Sequence, residues 1–122
     1  MFDEFAAWAS AVLGTQYHPS RGQWVDSSAL AGVWIASIHA LGGPAVDVDD
    51  RRPRFRVILL GPRNGRQHSA AIGQHADSLV RATIDGAVPC GAAHIRAITE
   101  PAGPGYTAEN RAWYSLDFQL TY

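Results

Sequence analysis

Residues 109–122 read ENRAWYSLDFQLTY, and the alternation inside this stretch decides the fold. Ala112, Tyr114, Leu116, Phe118, Leu120 and Tyr122 are apolar, while Arg111, Ser115, Asp117, Gln119 and Thr121 between them are polar. Period-two alternation marks a strand with one face on a core and the other turned outward. Trp113 breaks the rule by placing a large indole on the polar face. Two readings fit it from the residues alone: cover by the chain's own N-terminal helix, or simple half-exposure.

Working outward from that strand, PAGPGYTAEN (101–110) reads as a long exposed loop and AAHIRAITE (92–100) as a further strand. DGAVPCG (85–91) ends a helix whose stripe is Ile72, Ala76, Leu79, Val80, Thr83 and Ile84, with Asn64 or Ser69 as its cap. Gly73 inside that helix costs about 1 kcal/mol relative to Ala and points to close packing there. RFRVILLG (54–61) is a strand with Phe55, Val57 and Leu59 facing one way and Arg54 and Arg56 the other; Ile58 and Leu60 imply that its far end is covered on both faces.

The first half holds a helix over MFDEFAAWASAVLG, with Asp3 and Glu4 in its first turn, Trp8 on its flank and Gly14 as its stop. TQYHPSRGQ reads as a polar connector, Trp24 and Val25 as a short strand, DSSALAG as a loop or single turn, and VWIASIHAL (33–41) as a strand. The segment 42–53, GGPAVDVDDRRP, is a long loop. The order of these elements predicts one domain over 1–122 of the α+β class: a mostly antiparallel sheet of about four strands with two main helices on one face.

Composition narrows the function classes. The 122 residues are 47% hydrophobic and 17% charged, with formal net charge −1, so no global field draws the chain to DNA or an acidic membrane. All 10 basic residues are Arg. No apolar run reaches the roughly 20 residues of a membrane span. The two carboxylates near the N-terminus speak against a signal peptide, and the lone Cys90 fits folding in a cytoplasm.

No motif specifies catalysis. GPRNGRQHS (61–69) lacks the GxxxxGK[ST] spacing of a phosphate loop, and no GxSxG elbow occurs. His68 and His75 stand two helical turns apart instead of at the i,i+4 of a helical metal pair, and Cys90 with His94 offers two ligands where zinc takes at least three. The expectation is no enzyme, no metal and no cofactor.

RPRFRVILLG, a helix, and then AAHIRAITEPAGPGYTAENRAWYSLDFQLTY together resemble the tail terminator or minor capsid proteins of long-tailed bacteriophages, or the equivalent part of a gene transfer agent. The matching residues are Pro53, Arg54, Phe55, Val57 and Gly61, then Pro104, Gly105, Tyr106, Asn110 and Arg111, then Trp113, Ser115, Asp117, Phe118 and Leu120. The likeness covers about the last seventy residues.

That resemblance implies a virion structural protein forming a ring, usually of six copies, at the head-proximal end of the tail. The ring stops polymerisation of the tube, contacts the major tail tube protein and a head-tail connector or neck protein, and passes DNA without binding it specifically. Assembly would take place in the bacterial host cytoplasm. The residues expected at subunit or partner contacts are Asp47, Asp49, Asp50, Arg51, Arg52, Arg54, Tyr106, Arg111 and Trp113. A head-side neck or tail-completion protein, or a small host-encoded ligand-binding or enzyme domain, are the alternatives. Binding partner separates the first from a terminator; a monomeric state with His and Asp clustered in a cleft would favour the second.

Overall fold

The computed structural model describes residues 2–14, 17–21, 32–41, 54–84, 94–98, 101–107 and 110–121. Helix α1 (Phe2–Leu13) is followed by strands β1 (Tyr17–Arg21), β2 (Trp34–Leu41) and β3 (Arg54–Leu60). A 3-10 turn, Arg66–His68, leads into helix α2 (Ser69–Ile84), and β4 (His94–Ala97), β5 (Ala102–Tyr106) and β6 (Ala112–Thr121) complete the order. The strands form a single sheet in the order β1-β2-β3-β6-β4, with β5 also paired to β6. Only β1 with β2 is parallel; the other pairings are antiparallel. The fold is therefore α+β, as the element order implies, with six strands in place of about four.

Both extra strands arise where the sequence lacks strand character. β1 is YHPSR, inside the stretch read as a connector. Its proline is tolerated because an edge strand has one side free of ladder bonds, and Tyr17, its one large apolar residue, is buried. β5 is AGPGY, inside the expected 101–110 loop. It is held as a strand by pairing with β6, with a register shift between Ala102 and Gly105. β4 and β5 lie along the same edge of β6, and Ile98 N–H donates to Asp117 C=O (3.0 Å) in the gap between them. The expected strand at Trp24–Val25, residues 26–31 of DSSALAG, the 42–53 loop and Cys90 lie outside the described residues.

The core lies between one face of the sheet and the two helices. Leu116, Phe118 and Leu120 of β6 meet Phe55, Val57 and Leu59 of β3 on that face, as the alternation predicts. Phe5 of α1 stacks on Phe55 at 4.6 Å between centroids and tilts against Phe118 at 5.7 Å. Trp8, read as a flank residue, is instead buried, edge-on to Phe118 at 5.8 Å. α1 ends where Gly14 N–H donates to Ser10 C=O (2.9 Å) and the chain turns left-handed at φ 79°, the usual glycine stop.

Ile72, Ala76 and Leu79 bury α2 against the sheet. Gly73 lies over Tyr114, where an added Cβ would come 3.0 Å from the phenol oxygen, so the close packing implied by that glycine is real. Ile84 is not part of the buried stripe: it is 77% exposed. At 3.6 residues per turn it lies about 120° round from Ile72, off the arc that faces the sheet.

Candidate functional site

Among the described residues, three hydrogen bonds link the end of β5 to the start of β6. Asn110 N–H donates to Thr107 C=O (2.9 Å), Thr107 N–H to Arg111 C=O (3.0 Å), and Arg111 N–H to Thr107 Oγ1 (3.2 Å). Asn110 takes φ 59°, a left-handed conformation that asparagine tolerates better than most residues. The chain then enters the protein interior at Arg111.

Arg111, expected at a subunit contact, is 0% exposed within its own chain. Its Nη1 donates to Val33 C=O (3.0 Å) and Gly61 C=O (2.8 Å). Gly61 N–H in turn donates to Ala112 C=O (2.9 Å), and Gly65 N–H to Asn110 C=O (3.1 Å). The guanidinium thus ties the entry of β2 and the exit of β3 to the start of β6. A buried charge is tolerable only when its donors are satisfied, and two main-chain carbonyls take those of Nη1. Arg111 is a clamp inside the chain's own fold.

Register separates the two aromatics expected at the interface. Trp113 pairs with Leu60 of β3 and Gly105 of β5, whereas Tyr106 pairs with Ala112. Consecutive residues of a strand point to opposite faces, so Trp113 projects from the helix-free face and Tyr106 from the other. Trp113 is half-buried because its indole lies over Gly105, where any Cβ would overlap the ring. Cover by α1 is excluded, since α1 packs on the opposite face. Tyr106 is 40% exposed, and Ala102, Gly103 and Pro104 beside it are exposed too.

The helix-free face grades from apolar to charged along the strands. Ile35, Leu60 and Trp113 share one row, Ser37, Ile58 and Ser115 the next, then His39, Arg56 and Asp117, then Arg54, Gln119 and Arg96. At the apolar end Ile35 and Leu60 are buried although no helix among the described residues lies over them, so the double-sided burial holds at Leu60, while Ile58 is half-buried. Ser37, fully buried, has its Oγ 2.8 Å from His39 Nε2.

At the charged end Arg56 grips Asp117 with Nε on Oδ1 (2.8 Å) and Nη2 on Oδ2 (3.2 Å). The hydrogen bond with Asp117, and then its charge, raise the Arg56 pKa above its ordinary value. With side chains 44% and 15% exposed, the bridge contributes about 0.2–1 kcal/mol. Arg54, half-buried, stands in the next row with its Nε buried and without a hydrogen-bond partner. Asp47, Asp49, Asp50, Arg51 and Arg52 lie outside the described residues.

The two helix histidines serve packing. Tyr17 Oη and His75 Nδ1 are 2.7 Å apart, which ties β1 to α2. Trp34 lies between the rings, 5.0 Å from His68 and 6.0 Å from His75. Burial pushes the Tyr17 phenol upward and the His75 imidazole downward in pKa. Among the described residues no group of three or more His, Cys, Asp or Glu side chains could hold a metal ion, and no helix is long and apolar enough to cross a membrane.

No family model matches this chain, and no curated protein does. One solved structure, whose name carries no functional description, is similar over 98% of this chain and 89% of its own, at 16% identity and a TM-score of 0.49.

Proposed function

We propose that this chain is a structural subunit that works by shape: one sector of a ring of six copies that caps a phage tail tube, ends its growth and offers the surface that joins the head. The reading starts from the sequence resemblance over the last seventy residues. The structural observation in its favour is the difference between the two ends of the sheet. A closed ring needs head-to-tail contacts in which one surface meets a different one on the next copy. Here one end is β1, parallel to its neighbour and carrying Pro19; the other is the β4–β5 margin of β6, with β5 exposed and Tyr106 at its tip. Aromatic side chains of this kind are common interface anchors.

In this proposal the major tail tube protein lies on one side of the ring and a head-tail connector or neck protein on the other, with DNA passing through the centre. Electron microscopy of the purified protein, alone and mixed with tail tubes, tests it. Annular particles seated on tube ends are the expected result. Tubes whose ends stay bare at saturating protein would sink the proposal, and attachment to a portal–adaptor complex instead would move the protein to the head side.

A further inference from the structure

The last row of the helix-free face carries two arginines that no carboxylate among the described residues neutralises. Arg54 of β3 pairs in register with Gln119 of β6, and Gln119 pairs with Arg96 of β4. Two strand spacings put the Cα atoms of the arginines about 10 Å apart, with the carboxamide between them. Long flexible side chains on such neighbours can converge above the central residue.

Among the described residues neither arginine pairs with a carboxylate. Arg54 Nε is buried and bonded to nothing. Among the described residues Arg96 is exposed and engages no carboxylate, and Gln119 makes no side-chain hydrogen bond although it is only 8% exposed. The nearest described acid on this face, Asp117 in the adjoining row, is held by Nε and Nη2 of Arg56. Its negative charge is therefore matched and does not repel an arriving anion.

We infer that Arg54, Gln119 and Arg96 form a binding site for a phosphate group on the helix-free face of the sheet. Guanidinium groups present forked N–H donors suited to oxyanions, and the carboxamide adds a neutral donor beneath them. Two positive charges on either side of that amide match a dianion better than the single charge of a carboxylate. A phosphate at this place also supplies the acceptor that the buried Arg54 Nε lacks, and buried donors are seldom left without one. The site does not depend on ring formation.

The test uses the whole chain, isotope-labelled, in a nuclear magnetic resonance titration with sodium phosphate at pH 7. A parallel titration with sodium chloride matches the ionic strength. Saturable shifts centred on Arg54, Gln119 and Arg96 are expected with phosphate alone. The double variant R54Q/R96Q should weaken binding at least tenfold while keeping the dispersed amide spectrum of a folded protein, and R81Q, on the exposed side of α2, should leave it unchanged. A short duplex DNA forms the second arm. If the duplex binds in an R54Q/R96Q-sensitive way and free phosphate does not, the phosphate comes from a polymer and the site stands. Shifts reproduced by chloride, or binding of both probes undiminished in R54Q/R96Q, would overturn it.

Discussion

Arg111 shows how a single residue can mislead when read from a sequence. An arginine between a polar turn and a strand looks like surface, and its interior partners, Val33 and Gly61, are 78 and 50 residues away. No local pattern reports bonds of that range. The cost of losing it is large: Arg111→Met removes charge-assisted bonds worth about 1.5–3 kcal/mol each and leaves buried carbonyls without donors. Urea unfolding should show a loss of about 3 kcal/mol or more, and a loss under 1 kcal/mol would mean the clamp is not structural. His75 offers a pH-dependent counterpart. Burial lowers its pKa from 6.5, so the folded state binds its proton less readily than the unfolded chain does. Its contribution is present above about 6.5 and is lost as pH falls through the folded value. The melting temperature should therefore drop between pH 6.5 and 5, and H75Q should flatten that drop; an equal drop in H75Q would place the titration elsewhere.

At the scale of elements, legibility follows side-chain chemistry. β6 and β3 are plain in the sequence because Leu116, Phe118 and Leu120, and Phe55, Val57 and Leu59, alternate with polar residues and are buried as written. β1 and β5 are not, because each becomes a strand through its partner. In β5 the deciding residue is a glycine, read from the sequence as loop material. Gly105 has no side chain, and that lets the Trp113 indole settle against the backbone across the pair. G105A should therefore displace the indole or push β5 off β6, at about 1–3 kcal/mol for overpacking. The double variant G105A/W113A should recover part of that loss, since residues in direct contact do not add independently. Chemical denaturation of the four species measures the coupling. Additive losses would show that the two residues do not meet. The charged row Arg54, Gln119 and Arg96 was only partly legible for a similar reason: Arg54 stands out in RPRFR, but only the β3-β6-β4 order brings Arg96 beside it.

For the whole molecule the question is whether contacts between copies use surfaces that the subunit's own fold does not need. Arg111 belongs to the fold, and Trp113 is half taken by Gly105. Tyr106 is the large aromatic at the β5 margin that the subunit leaves 40% open. Substituting it should cost the free chain little, about 1 kcal/mol as for an average point change. In a ring the same side chain would act as an anchor in every subunit contact, worth about 2 kcal/mol or more at each. Closing a ring needs all of those contacts at once, so small losses at each compound. Y106E is accordingly expected to keep the melting temperature of the free protein within a few degrees and to abolish the annular species on tail tubes, measured by light scattering and electron microscopy on one preparation. Reversing Arg51 and Arg52 to Glu tests the 42–53 segment in the same way, with a fall in assembled mass as the expected result. If Y106E assembles to full mass and caps tubes as the unaltered chain does, the β5 margin is not the surface through which copies meet.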